Sequence, residues 1–248
     1  MTIKTFIIGM LASFGVAWMC IIAIPAAKMS ALSPVKMNVE DEDAPYYQRK
    51  VAGRVMSGAA IYGANGCYYC HTQLIRPTYL GRQIWRKDAA GIYDKDEGID
   101  TRRETSHYDY KDEDFARVGR MRVGPDLSNF GHRAEMYAAT AGMSPAQWVM
   151  EHLYNPRNSE LFVGNEGQKT DMGWSNCPSQ KQMFDENTLN GQGDSLAISG
   201  QTTESTEVIP NEQALILTSY LLTLKRDDIL PDMLTNKPKD VDAKEEEN

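Results

Sequence analysis

A chain of 248 residues, 42% hydrophobic and 24% charged, has the composition of a folded protein, with room for one ordinary domain and an appendage. Its formal net charge of −8 argues against nucleic acid as a partner. Its four cysteines, Cys20, Cys67, Cys70 and Cys177, are too few for a disulfide framework in a chain this long.

From Phe6 to Ala27 the sequence "FIIGMLASFGVAWMCIIAIPAA" carries no charged residue. A bilayer-crossing helix needs roughly 20 apolar residues, whereas the apolar region of a cleaved leader runs to roughly 7–15. The length therefore predicts an uncleaved transmembrane anchor over residues 1–30, in which Cys20 acts as a small hydrophobe. Lys4 on one side and Lys28 and Lys36 on the other leave its orientation undetermined by charge. Residues 31–45 read as a polar linker, and 46–230 as the folded domain. Within it, "YYQRKVAGRVMSGAAIY" (46–62) has helical spacing, with Val51, Val55, Ala59 and Tyr62 on one face. "GANG" follows, where glycine permits a left-handed cap.

"NGCYYCHTQLIRP", residues 65–77, comes next. Cys-x-x-Cys-His is the attachment signature of c-type haem. One helical turn sets both thiols on one face, where each can form a thioether to a porphyrin vinyl group. The adjoining imidazole then meets the iron. A redox dithiol needs no following histidine. A zinc site needs a second pair at ligand spacing, and His107, His132 and His152 stand singly. The motif thus predicts one covalent haem c held by Cys67 and Cys70, with His71 as an iron ligand.

Residues 81–122 are highly charged, without a clean period, and read as a surface excursion. In "VGPDLSNFGHR" (123–133), a Gly-Pro turn offers the Pro125 carbonyl where no N–H of that residue competes. A haem-ligating histidine donates its other ring N–H to such an acceptor, and a similar Gly-Pro-x-Leu loop serves in soluble cytochromes c. "SPAQWVMEHLYNP" predicts a helix capped by Ser144, with Pro145 in its first turn, Gln147 completing a capping box and Pro156 as its stop. A long polar loop spans 158–208. "PNEQALILTSYLLTLKRD" (210–227) reads as a last amphipathic helix, and 231–248 as a charged tail. The class is mostly α with long loops and little sign of strand.

Methionine is the usual second axial partner of histidine in electron-transfer haems. "TDMGWSNCPSQKQMF" offers Met172, Cys177 and Met183. His107, His132 and His152 are the bis-histidine alternatives.

"GCYYCHTQLIRP", "RVGPDLSNFGHR", "HLYNPR" and the single N-terminal span together resemble the mono-haem cytochrome c subunit, subunit II, of cbb3-type haem–copper oxidases. The resemblance runs from the anchor to the last helix, and the continuation Gln-Leu-Ile-Arg-Pro is its most specific element. It implies a class I cytochrome c-like helical domain facing the periplasm of a bacterial inner membrane. It implies a non-catalytic relay of single electrons to the catalytic subunit, with that subunit and other cytochrome subunits as partners besides the lipid bilayer. It implies that Arg76 pairs with a haem propionate. The family places a Met-Pro after "HLYNPR", where this chain has Cys177-Pro178. That leaves Met172 and Cys177 as equal candidates for the distal metal ligand, with Met183 third. An anchored cytochrome of another respiratory complex, such as a nitric oxide reductase, and a haem-based ligand sensor are the competing functions.

Overall fold

A computed structural model of the chain describes residues 2–38, 40–46, 52–85, 89–111, 113–158, 160–163, 168–228 and 230. The chain divides into two compact units, Met1–Arg49 with His107–Glu113, and Lys50–Ser106 with Asp114–Asn248. The predicted helix start at 47–51 and the predicted tail after Leu230 lie outside the described residues.

The first unit holds helices α1 (Ile3–Trp18) and α2 (Ile24–Ser30), joined by a π-helical turn over Met19–Ala23. The turn has a local cause. Pro25 lacks an N–H and its ring crowds the carbonyl four residues earlier, so the preceding turn widens. The combined Ile3–Ser30 segment, 28 residues, is long and apolar enough to cross a membrane. None of its residues is buried, and Phe6, Ile8, Leu11 and Phe14 are among its exposed side chains. The predicted anchor over 1–30 therefore coincides with one helical segment. In the same unit His107–Tyr110 forms a 3₁₀ turn, with His107 against the Tyr108 ring.

The second unit is built on helices α3 (Gly53–Ala64), α4 (Phe130–Ala141), α5 (Pro145–Tyr154) and α6 (Glu212–Leu222). Helices α3 and α6 cross at Gly58. A Cβ there would lie 2.5 Å from the Tyr220 Cβ and 2.6 Å from the Ile216 carbonyl oxygen, so only glycine permits this approach. Gly131, at the start of α4, abuts the end of α6 in the same way. Its added Cβ would meet the Leu222 oxygen at 2.5 Å, and its N–H donates to the Leu224 carbonyl at 2.9 Å. The main core joins Tyr62, Phe130, Trp148, Met150, Met183, Leu217 and Tyr220 among others. Ser144 caps α5 as predicted, accepting from the Gln147 N–H at 3.2 Å. The Gln147 side chain does not close a capping box. It reaches Glu151 and Ser199 instead. Asn211, directly after Pro210, caps α6, accepting from the Gln213 and Ala214 amides.

The long loops contain more strand than their sequence suggests. Among the described residues three antiparallel strand pairs form: β1 (Tyr93–Asp94) with β2 (Ile99–Asp100), β3 (Glu160–Val163) with β4 (Gln168–Asp171), and β5 (Phe184–Thr188) with β6 (Thr206–Pro210). In the last pair Phe184 faces Pro210 and Thr188 faces Thr206. Apart from Phe184, β5 is exposed, so no alternation of apolar and polar residues announces it. The chain between β5 and β6 sends Ile198 into the core and ties it there by a 2.8 Å bond from its N–H to the Val208 carbonyl.

Candidate functional site

The cysteine motif begins where α3 ends. Gly66 adopts φ +71°, the left-handed conformation that turns the chain out of the helix. Cys67–Tyr69 then form one 3₁₀ turn, and the N–H groups of Cys70 and His71 both donate to the Cys67 carbonyl, at 3.1 and 3.0 Å. This single turn carries both thiols and presents His71 directly after them.

The imidazole is held from two sides. His71 Nδ1 donates to the Pro125 carbonyl oxygen at 2.8 Å, across 54 residues of sequence. A carbonyl only accepts, so Nδ1 carries the proton. Nε2 then keeps a lone pair, and it has no hydrogen-bond partner among the described residues. Gly124 closes the other side: a Cβ on it would sit 2.2 Å from Cε1 and 2.8 Å from Nε2 of the ring. Burial holds the His71 imidazole below its usual basicity, against the opposing pull of the Pro125 bond. Burial prevails and leaves a neutral ring at ordinary pH, the form that ligates metals.

The Pro125 loop is itself locked onto the motif. The N–H groups of Arg120, Gly124 and Leu127 donate to the carbonyls of Tyr68, Cys70 and Thr72 at 2.9, 2.9 and 2.7 Å. Buried Asp126 accepts from the Thr72 hydroxyl at 2.6 Å, the Leu74 N–H at 2.8 Å and the Ser128 N–H at 2.8 Å. Arg122 completes the clamp. Its Nε donates to Thr72 Oγ1 at 2.7 Å, one Nη donates to the Leu74 carbonyl, and the same Nη lies 3.5 Å from Asp126. Its other Nη is buried with no partner among the described residues. Sequence reasoning chose Arg76 and passed over Arg122 and Asp126. The role of these two depends on Thr72 and Leu74, about fifty positions away, and no local pattern signals it. Arg76 is exposed.

The distal candidates separate. Met183 is fully buried in the main core among the α5 and α6 side chains. Met172 is buried, and its carbonyl accepts from the Ser175 N–H at 2.7 Å in a tight turn. Cys177 is half-buried and lies within electrostatic range of the motif. Burial first, and then Cys177, push the Cys67 thiol up to about 11, and burial first, then Cys70, raise Cys177. The Gln180 N–H, which donates to the Leu153 carbonyl at 2.8 Å, ties this loop to the end of α5. Of the histidines, His132 is bonded to Asp227 at 2.9 Å. His152 stacks on Trp148 at 5.2 Å and is pulled down to about 4, by burial and then by His71.

Among the described residues no group of three or more His, Cys, Asp or Glu side chains is placed to hold a metal ion. One imidazole beside two thiols could serve a group that brings most of its own ligands. No protein-family model matches the chain, and no curated protein is significantly similar to it in sequence.

Proposed function

We propose that this protein is a membrane-anchored mono-haem cytochrome c that relays single electrons within a cbb3-type oxidase, as its subunit II. The observation that carries the reading is the pairing of Cys67-x-x-Cys70-His71 with a Pro125 carbonyl that holds Nδ1 and leaves Nε2 free to ligate. Gly124 supports it. Only a residue without Cβ lets the loop lie against an imidazole held in one orientation. Bound there through Cys67 and Cys70, haem c would supply a one-electron iron couple.

The chain's own groups have separable tasks. Cys67 and Cys70 hold the porphyrin covalently, and His71 ligates the iron. Pro125 sets the tautomer and raises the electron-donating power of the ring. Arg122, with one Nη unpartnered, is better placed than exposed Arg76 to hold a propionate beside the motif. Cys177 is the distal ligand we favour over Met172, because it lies near both motif thiols and occupies the Met-Pro position of the resembled family. A thiolate there would lower the potential, and a methionine would raise it.

The oxidase assignment rests on the motifs "CHTQLIRP", "RVGPDL" and "HLYNPR", and on one N-terminal helix, Ile3–Ser30, long and apolar enough to cross a membrane; in this reading it tethers the haem domain on the periplasmic side of a bacterial inner membrane. The test is the visible spectrum of the purified full-length protein after acid–organic extraction. A pigment that stays with the polypeptide and shows the absorption of a c-type haem supports the reading, and an extractable pigment or a colourless protein overturns it. Copurification with a multi-span oxidase subunit separates this complex from a nitric oxide reductase.

A further inference from the structure

The charge of this protein is unevenly spread. The chain is acidic overall, at −8, yet the segment Asp114–Val123 carries Arg117, Arg120 and Arg122 against a single acid, Asp114. The fold sets this segment beside the cysteine motif. The Gln73 N–H donates to the Val118 carbonyl at 3.0 Å, and the Arg120 N–H donates to the Tyr68 carbonyl at 2.9 Å. Arg120 lies over the Tyr69 ring at 4.9 Å. Arg117 lies over the end of α3, where a Cβ on Gly63 would be 3.8 Å from its Nε. Arg76 is close enough to Arg122 to disfavour its charge. Among the described residues Arg76, Arg117 and Arg120 form no ion pair, and the Asp126 carboxylate is buried and already bonded to Thr72, Leu74 and Ser128.

Exposed apolar side chains alternate with these cations along the 114–123 segment, and Tyr69 lies under Arg120. Tyr69, Met121, Val123 and Phe115 are 44%, 56%, 58% and 74% exposed. Isolated exposed hydrophobes are ordinary, but apolar side chains grouped inside an unpaired cationic rim have the anatomy of an association surface. Transient redox complexes are small and are steered by complementary charge, so the sign of the rim selects the partner. We propose that the Tyr69–Arg120–Met121 face docks the carboxylate-rich surface of a protein redox partner. This rests on the haem reading only for its purpose, because the charge and apolar pattern stand without the cofactor.

The experiment uses the full-length chain in phosphatidylcholine nanodiscs and plastocyanin, an acidic copper protein, as the probe. Equilibrium binding is measured by surface plasmon resonance, and electron passage from the reduced chain to the probe's Cu(II), giving Cu(I), by stopped flow. Binding weakens about tenfold between about 20 and 200 mM NaCl. Arg120→Glu weakens it at least about fivefold at low salt, and Lys95→Glu, the same charge change on the β1–β2 turn, leaves it within about twofold. Equal effects of the two substitutions, or binding that strengthens with salt as a net charge of −8 alone would dictate, overturn the proposal. Loss of the Arg120 dependence in phosphatidylglycerol nanodiscs would assign the face to lipid headgroups and also overturn it. Arginine-dependent binding by a colourless protein upholds the docking face and defeats only the haem reading, whereas a coloured protein that ignores the probe does the reverse.

Discussion

His71 and Gly124 touch so closely that a single methyl group between them would lie 2.2 Å from the imidazole Cε1. The contact makes Gly124 a gauge of ring orientation. The ring is also held by Pro125, so it has no low-cost path of retreat. Gly124→Ala is expected to displace His71 and cost about 1–3 kcal/mol of stability. Haem attached to the variant is expected to gain high-spin absorption while remaining covalent, since Cys67 and Cys70 are unaltered. An unchanged low-spin spectrum would show that His71 does not ligate.

Asp126 anchors the Pro125 loop to the segment after the histidine through two short bonds, from the Thr72 hydroxyl and the Leu74 N–H, and braces the loop itself through a third from the Ser128 N–H. Asp126→Asn removes a charged acceptor from a buried site and leaves Arg122 without its counter-charge. The expected loss is about 3 kcal/mol in denaturant unfolding. Thr72→Val, which removes only the hydroxyl between Asp126 and Arg122, is expected to cost less, about 1–2 kcal/mol.

The helix crossing at Gly58 sets a third expectation. Gly58→Ala forces α3 from α6 by pushing a methyl into the Ile216 carbonyl and Tyr220 Cβ, both of them parts that cannot rotate away. The melting temperature is expected to fall by several degrees or more, from a loss of about 2 kcal/mol or greater. Gly53→Ala, with nothing within 4 Å of an added Cβ, is the internal control and is expected to be neutral or slightly stabilising.

Asp227 couples stability to pH. Burial alone would raise its pKa, but bonds from His132 at 2.9 Å and Thr101 at 2.6 Å outweigh it and hold the carboxyl below its ordinary value of 3.8. A depressed carboxylate stabilises the fold fully above its unfolded value and loses that contribution as pH falls through the folded one. The melting temperature of the wild type is therefore expected to exceed that of Asp227→Asn at pH 6, with the gap closing below about pH 4. A gap that widens on acidification would reverse the sign.

The distal ligand is settled by potentiometry. Cys177→Ala is expected to shift the midpoint potential and the spectrum strongly, and Met172→Ala to change the potential little. If only Met172→Ala moves the potential, the thiolate assignment fails and the methionine one stands.

Much of the candidate site was legible in order along the chain. The motif at 67–71 and Ser144 as a cap each depend on residues within a few positions and lie where their spacing indicates, and the Gly-Pro turn marked the Pro125 carbonyl as an acceptor although the ring it meets is 54 positions away. Three things were not legible. Gln147 turns to Glu151 and Ser199 because partners brought in by folding compete with the local capping box. Strand β5 escaped because exposed, polar strands carry no period. Arg122 escaped because its acceptors lie 48 and 50 positions upstream.

Sequence by itself determined what depends on short lengths of chain: thiols one turn apart with an imidazole beside them, and an apolar run as long as a bilayer is thick. Tertiary structure alone closed the Pro125 carbonyl onto the His71 ring, set Arg122 against Thr72 and Leu74, and put Cys177 within electrostatic range of Cys67. Those are closures across dozens of residues. They are fixed by the packing of α3 on α6 at Gly58 and by the hydrogen bonds of Asp126, and no local periodicity records them.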